Sequence, residues 1–173
     1  MSGKLKVGII GTGIIGKSHI RGYQSMRNDV EIVAIADINQ TEVQKVAQEN
    51  DIPHVFSDYH DLLGIDEIDS VDVCLPNFLH APVTIDALEA GKHVYCEKTM
   101  AKGVEQTREV FDAAQSRPGQ IFQTGYQYRT APLYDAAAKM IANGDIGPVT
   151  AVNCQWNRNG NWRRPVPDPK WER

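Results

Sequence analysis

Short apolar runs rich in valine and isoleucine alternate along this chain with longer segments in which apolar residues recur at every third or fourth position. The runs are typical of buried parallel strands, whereas the spaced pattern is typical of amphipathic helices. Because single helices separate successive strands, the order predicts βαβ units and an α/β fold with a doubly wound parallel sheet. The predicted strands span residues 4–10, 30–36, 54–56, 71–75, 93–96, 120–125 and 149–155, and the predicted helices span residues 14–26, 41–50, 59–63, 80–90, 104–116 and 132–143.

A change of composition near residues 144–148 predicts a domain boundary. Gly144 is placed to end the last helix, and another glycine and a proline follow it. Beyond this point one strand is followed by a polar stretch rich in tryptophan, arginine and proline, with no partner element in the chain. We therefore expect one complete domain at residues 1–148 and, at residues 149–173, only the first strand and loop of a second α/β domain.

A glycine-rich turn follows the first predicted strand. Residues 11–16 read GTGIIG, which has the spacing GxGxxG, and an acid, Asp37, ends the next strand. The first glycine of such a turn permits the tight bend, the second lets a pyrophosphate approach the backbone, and the third lets the helix pack on the strand. The helix N-terminus presents free N–H groups to the phosphates. A dinucleotide site is predicted, although a plain strand–helix turn also uses such glycines and FAD shares the pattern.

The acid after the second strand predicts NAD rather than NADP. The Asp37 carboxylate would accept hydrogen bonds from the ribose hydroxyls of the adenosine and would repel a 2′-phosphate. Ile38 and Asn39 supply no cation that could neutralise such a phosphate. The alternative role for Asp37 is that of a solvated turn residue or a helix cap.

The candidate residues share one topological position. Gly11, Asp37, Pro76, Glu97 and Gln127 each come shortly after a predicted strand. Ligands of open α/β sheets bind beyond the carboxyl ends of the strands, so this convergence predicts a site independently of any family resemblance.

Composition narrows the classes of function. The 173 residues carry 18 Lys and Arg against 22 Asp and Glu, which gives a net charge of −4. This mild acidity argues against nucleic-acid or anionic-membrane binding. Cys74, Cys96 and Cys154 show no CxxC or Cys/His spacing, so neither a disulfide framework nor a metal site is predicted. The N-terminus lacks the features of a signal peptide or a membrane span, so we expect a cytoplasmic protein without a membrane partner.

Further short motifs follow the later predicted strands. They are PNFLH at residues 76–80, AGKHV at 90–94, EK at 97–98, GYQYR at 125–129 and GDIG at 144–147. Together with the glycine turn, these motifs resemble the Gfo/Idh/MocA family of NAD(P)-dependent oxidoreductases, and the resemblance extends over the whole chain. Thr99 stands where the family has the proline of its Glu-Lys-Pro signature.

The resemblance implies a Rossmann-type dinucleotide-binding domain of an NAD-dependent dehydrogenase that acts on a sugar, a polyol or a related hydroxy compound. It implies that Lys98 contacts the nicotinamide and the substrate hydroxyl and assists proton transfer, and that Arg129 lies near the substrate. A lysine beside a positively charged nicotinamide in a partly desolvated cleft has a lowered pKa, which suits this role. The residues expected to bind the cofactor, from the glycine turn and the resemblance together, are Gly11, Thr12, Gly13, Ile14, Ile15, Gly16, Asp37, Pro76, Asn77, His80, Glu97, Lys98, Gln127, Trp162 and Arg163.

Members of the family usually have a second half, an open and mostly antiparallel sheet that supplies a catalytic Asp/His pair and the oligomer interface. The five histidines of this chain all lie at or before position 93, so that catalytic histidine is not among them. We therefore expect the chain alone to bind NAD with little or no turnover, and a longer form to be a homo-oligomer with a carbohydrate-like substrate. Two other functions stay open, an NAD-dependent glycosidase of the same superfamily and a non-catalytic NAD-binding regulatory module.

Overall fold

The structure, a computed structural model, describes residues 3–157 and 159. The chain divides into two compact units, Met1–Tyr126 and Gln127–Arg173. Among the described residues, no helix combines the length and the apolar character required to cross a bilayer.

The first unit alternates strands and helices from end to end. Its elements are β1 (Leu5–Ile10), α1 (Ile14–Ser25), β2 (Val30–Ala36), α2 (Gln40–Asn50), β3 (His54–Phe56), α3 (Tyr59–Leu63), β4 (Ser70–Val73), α4 (Asn77–Glu89), β5 (His93–Cys96), α5 (Gly103–Gln115) and β6 (Phe122–Thr124). The sheet order is β3-β2-β1-β4-β5-β6 and every neighbouring pair is parallel, which confirms the predicted doubly wound sheet. The strand order reverses between β1 and β4, and such a reversal opens a crevice at the carboxyl edge.

The central strand β1 is covered on both faces. Ile9 packs with Ile20 of α1 and Val43 of α2 in one apolar cluster. The next residue, Ile10, belongs to a second cluster that includes Leu88 of α4. Successive side chains of a strand point to opposite faces, so a strand with helices on both sides is apolar at every position. This arrangement is the reason for the buried run without polar side chains at residues 7–10, which follows the exposed Leu5 and the half-buried Lys6.

The helix after β4 begins earlier than the sequence predicts. It starts at Asn77 rather than at residue 80, so Pro82 lies inside the helix and not in its first turn. Pro76 has φ of −59° and ψ of 142°, an extended conformation that ends the turn immediately before the helix. The helix therefore starts directly after Pro76. The position of Pro82 does not indicate the first turn, although proline is common there.

The described part of the second unit contains no strand. A 3₁₀ helix spans Gln127–Arg129, and α6 spans Pro132–Ala142. The strand predicted at residues 149–155, expected to be the first strand of a second domain, is wrong, since these residues have no regular secondary structure. A strand needs a neighbour that satisfies its backbone N–H and C=O groups, and the described residues of this unit provide none.

Candidate functional site

The turn between β1 and α1 is built on three glycines with different steric surroundings. Gly11 has φ of +96°, and a Cβ there would lie 2.4 Å from the carbonyl oxygen of Cys74. A Cβ at Gly16 would lie 1.9 Å from the carbonyl oxygen of Gly11. The helix can therefore pack this closely on the turn only because residue 16 has no side chain. At Gly13, by contrast, nothing lies within 4 Å of the position that a Cβ would occupy. The space beside Gly13 is therefore open to a ligand.

The N-terminus of α1 lacks a side-chain cap. Gly13 is the N-cap residue, and no acidic residue lies in the first turn of the helix. The first N–H groups of a helix have no intrahelical acceptors and carry the positive end of the helix dipole. A pyrophosphate suits this position both in its charge and in the space left beside Gly13.

The carboxylate of Asp37 is oriented at the end of β2. The backbone N–H of Thr12 donates to Asp37 Oδ2 at 2.7 Å, and the Thr12 hydroxyl donates to the same oxygen at 3.0 Å. The backbone N–H of Asn39 donates to Oδ1 at 2.9 Å. Thr12 is 1% exposed, whereas Ile38 is 80% exposed. An oriented acid and an exposed apolar side chain therefore lie next to each other at the end of β2.

A pocket of about 280 Å³ lies at the carboxyl ends of β1, β4 and β5. This is the place where the strand order reverses, so it is the expected ligand position of the sheet. All of its lining residues except Cys74 and Leu75 are ones that the sequence predicts to bind the cofactor. The lining residues are Gly13, Ile14, Ile15, Cys74, Leu75, Pro76, Asn77, Glu97 and Lys98.

Glu97 and Lys98 form the part of the wall that follows β5. The backbone N–H of Lys98 donates to Glu97 Oε2 at 3.2 Å, and the peptide bond between Lys98 and Thr99 is cis. The Lys98 residue is exposed, whereas the Glu97 side chain is only 14% exposed. Gly125 packs against this acid, because a Cβ at Gly125 would lie 2.7 Å from Glu97 Oε1. A lysine on such a wall can accept a proton from a bound hydroxyl when its amine is neutral, and it then becomes an ammonium.

His80 lies behind the pocket rather than on its wall. The residue is 1% exposed, with Nδ1 at 2.6 Å from the carbonyl oxygen of Thr99 and Nε2 at 2.7 Å from that of Leu75. The imidazole ring therefore joins the turn after β4 to the turn after β5. The sequence predicts His80 among the cofactor-binding residues, and the structure places it as a support for residues of that set.

Four of the predicted site residues are not part of the first unit. Gln127 and Arg129 lie in the 3₁₀ helix of the second unit, where both are exposed. Trp162 and Arg163 lie outside the described residues. The predicted contacts of these four residues with cofactor or substrate stay predictions.

Two members of a charged cluster behind the pocket, His19 and Asp72, are absent from the residues that the sequence predicts for the site, whereas the third, Glu97, is among them. His19 Nδ1 lies 2.7 Å from Asp72 Oδ2, and His19 Nε2 lies 3.5 Å from Glu97 Oε1. The hydrogen bond to Asp72, which is fully buried, raises the pKa of His19. The feature of the sequence that could have indicated this cluster is Asp72, an acid inside an apolar strand. A buried carboxylate requires a partner, so such an acid predicts a charged or polar neighbour.

Two cysteines near the site, the half-buried Cys74 and the buried Cys96, are not activated as nucleophiles. Burial raises the pKa of the Cys74 thiol, and it raises that of the Cys96 thiol to about 11. A thiol becomes reactive when its pKa is lowered, so both residues remain protonated near neutral pH.

Comparisons with known proteins agree with this geometry. A family model described as "Oxidoreductase family, NAD-binding Rossmann fold" matches residues 5–126. The chain is 34% identical over 151 residues to the inositol 2-dehydrogenase of Klebsiella pneumoniae, covering 87% of this chain and 45% of that protein. The chain therefore spans less than half the length of this curated relative.

Solved structures give the same result for the fold. A scyllo-inositol dehydrogenase from Lactobacillus casei, with bound NAD(H) and scyllo-inositol, matches with a TM-score of 0.81 at 27% identity, covering 86% of this chain and 44% of the other. A levoglucosan dehydrogenase in complex with NADH and levoglucosan matches with a TM-score of 0.77 at 32% identity, covering 84% and 41%. The similarity again ends before the second half of those proteins.

Proposed function

Because the chain belongs to the Gfo/Idh/MocA family of NAD-binding oxidoreductases, we propose that it is the cofactor-binding part of an NAD-dependent dehydrogenase acting on a sugar, a polyol or a related hydroxy compound. The observation that carries this proposal is the pocket at the reversal of strand order, where the glycine turn meets Pro76, Asn77, Glu97 and Lys98. The substrate class is supported by relatives that are named for inositol and levoglucosan.

The proposed cofactor is NAD rather than NADP. The Asp37 carboxylate is oriented by Thr12 and suits two ribose hydroxyls, whereas a 2′-phosphate would lie against its negative charge. The nearby cation of Lys17 is already paired with Glu42. Because Lys17 is paired, the negative charge of Asp37 remains to repel the 2′-phosphate that distinguishes NADP from NAD.

Different residues of the pocket have different roles in the proposed reaction. The N-terminus of α1 binds the pyrophosphate, and Glu97 accepts hydrogen bonds from the nicotinamide ribose. Bound NAD supplies the hydride acceptor. Removal of a hydride from a C–OH carbon also requires a base for the hydroxyl proton, and Lys98 takes this role.

Further roles in this proposal rest on the family resemblance alone. They are cofactor contacts for Gln127, Trp162 and Arg163 and a substrate contact for Arg129. In this proposal residues 1–148 form the cofactor domain, and residues 149–173 lead into a substrate and oligomerisation domain. The whole protein is then a homo-oligomer.

Two alanine substitutions test the cofactor site. Neither Gly13 nor Gly22 has any atom within 4 Å of the position of a Cβ, so alanine fits at both. Isothermal titration calorimetry with NAD⁺ is expected to show binding by the chain, normal binding by Gly22→Ala, and at least about tenfold weaker binding by Gly13→Ala. The melting temperature of Gly13→Ala should stay close to that of the wild type. The cofactor site is refuted by a wild-type chain that does not bind NAD⁺, or by equal affinities of all three proteins.

The reaction type is tested on a longer form that carries a second domain. Inositols and levoglucosan are supplied with NAD⁺, and NADH is followed by its absorbance. Net NADH formation supports the dehydrogenase. Release of sugar without net NADH supports the NAD-dependent glycosidase instead, and NAD binding without either reaction supports a regulatory module.

A further inference from the structure

A buried acid lies inside the sheet directly behind the proposed nicotinamide pocket. Asp72 of β4 is 0% exposed. Leaving an ionised carboxylate in the interior without partners costs several kcal/mol, so its surroundings must compensate the charge. His19 Nδ1 lies at 2.7 Å from Asp72 Oδ2, and Tyr23, whose pKa is raised by burial and then by the charge of Asp72, lies near the same carboxylate. Both residues come from α1, the helix whose N-terminus forms the phosphate site.

The other side of the His19 ring faces the pocket wall. His19 Nε2 lies 3.5 Å from Glu97 Oε1, so one imidazole bridges an acid inside the sheet and an acid on the wall. Only the imidazolium form has two N–H donors, one for each carboxylate. The second oxygen of Glu97 accepts from the backbone N–H of Lys98, and Gly125 lies so close to Oε1 that a Cβ there would be 2.7 Å from it. Both oxygens of the Glu97 carboxylate therefore have a neighbour that restricts them.

We propose that His19, anchored on Asp72, is a positioning residue that holds the Glu97 carboxylate in the orientation required by the nicotinamide ribose. This inference rests on the proposed function, because it takes Glu97 as a cofactor ligand. His19 itself touches neither cofactor nor substrate. It acts through Glu97, and it connects the phosphate-binding helix to the nicotinamide end of the site.

A metal ion is a poorer explanation of the same cluster. Ligand atoms of His19, Asp72 and Cys74 lie within 4.8 Å of one another. However, two ligands at about 2.0–2.2 Å from one tetrahedral zinc ion lie about 3.3 Å apart, whereas His19 Nδ1 and Asp72 Oδ2 are separated by a hydrogen-bond distance. Burial also raises the pKa of Cys74, which keeps the thiol protonated and unsuited to bind a metal.

The bridge is expected to depend on pH. The groups that face His19 are Asp72 and Cys74 from β4 and the turn after it, Tyr95 and Glu97 from β5 and its turn, and Tyr23 from its own helix. The acids favour the imidazolium, so its pKa lies above the ordinary value of 6.5. The bridge is complete below that pKa and is lost as the pH rises through it.

The test measures His19 titration and NAD⁺ affinity on the same proteins. Histidine ring signals are followed by NMR between about pH 5.5 and about pH 9, and NAD⁺ binding is measured by calorimetry over the same range. The variants are His19→Gln, Glu97→Gln and Asp72→Asn. The matched control is His60→Gln, which breaks the exposed contact of His60 with Asp58.

The expected titration midpoint of His19 is above 6.5 in the wild type, lower in Glu97→Gln and unchanged in His60→Gln. NAD⁺ affinity is expected to fall about fivefold as the pH rises through this midpoint, while in His19→Gln and Glu97→Gln it is low at every pH. Asp72→Asn changes a fully buried position, so its circular dichroism spectrum is compared first with that of the wild type. In a natively folded Asp72→Asn protein, the titration midpoint of His19 is expected to be lower than in the wild type and in Glu97→Gln.

Two results would overturn the positioning role. One is a His19 midpoint that does not respond to Glu97→Gln, and the other is a His19→Gln variant whose NAD⁺ affinity follows the wild-type pH curve. Failure of every protein to bind NAD⁺ refutes the proposed function instead. In that event the response of the His19 midpoint to Glu97→Gln still decides whether the imidazole holds this acid.

Discussion

Thr12 donates two hydrogen bonds to a single oxygen of Asp37, one from its backbone N–H at 2.7 Å and one from its hydroxyl at 3.0 Å. The contact joins the glycine turn after β1 to the end of β2. The phosphate-binding segment and the acid of the proposed adenosine site are therefore oriented together. Preorganised groups bind more tightly because less ordering is required when the ligand arrives.

Removal of the Thr12 hydroxyl is expected to weaken NAD⁺ binding. Thr12→Val keeps the shape of a buried side chain but removes one of the two donors to Asp37 Oδ2. One lost hydrogen bond corresponds to about 1 kcal/mol, so we expect roughly fivefold weaker binding by calorimetry. Thr41→Val, at an exposed position of α2, is the control and should bind normally. Wild-type affinity of Thr12→Val would show that the hydroxyl does not contribute to the site.

Exchange of the acid after β2 is expected to change the cofactor preference. The double variant Asp37→Ser/Ile38→Arg removes the negative charge and adds a cation for a 2′-phosphate. The ratio of NADP⁺ to NAD⁺ affinity should rise on the order of 100-fold, because charge-assisted hydrogen bonds to phosphate are strong. Asp37→Ser alone separates the loss of repulsion from the gain of the cation. An unchanged ratio in the double variant would place the ribose elsewhere.

Gly16 is expected to be essential for the fold, unlike Gly22 in the same helix. A Cβ at Gly16 would lie 1.9 Å from the carbonyl oxygen of Gly11, whereas Gly22 has open space. Gly16→Ala should lower the free energy of unfolding by about 3 kcal/mol or more, as severe backbone contacts do. Gly22→Ala should raise it by up to about 1 kcal/mol, since alanine favours the helix interior. Urea denaturation measures both, and equal stabilities would contradict the packing of the turn.

Lys98 is expected to matter more for turnover than for the affinity of the cofactor. Lys98→Met removes a positive charge beside the proposed site of a positively charged nicotinamide, so NAD⁺ affinity should be unchanged or higher. In a longer, active form the rate of NADH formation should fall by about 100-fold or more, as for the loss of a general base. Lys4→Met, at an exposed lysine, is the control. Normal turnover by Lys98→Met would assign the proton transfer to another residue.

The apolar periodicity predicts the six strands of the described residues. The inner strands β1 and β4 are buried along most of their length under helices that the same periodicity identifies, whereas the edge strands β3 and β6 are only partly buried. The pattern fails at residues 149–155, since pairing depends on a neighbouring strand and not on local composition. It also misplaces the start of α4. The conformation of Pro76 decides that boundary, and the position of Pro82 alone does not reveal it.

The sequence by itself determined the glycine turn, the acid after β2 and most of the residues that line the pocket, because all of them follow strands whose carboxyl ends meet at one edge. Only the tertiary structure decided that His80 joins two turns from behind, and that His19 lies between Asp72 and Glu97. These contacts join residues far apart in the chain. Such contacts have no local pattern, because they are created when helices pack on the sheet and buried charges must find partners.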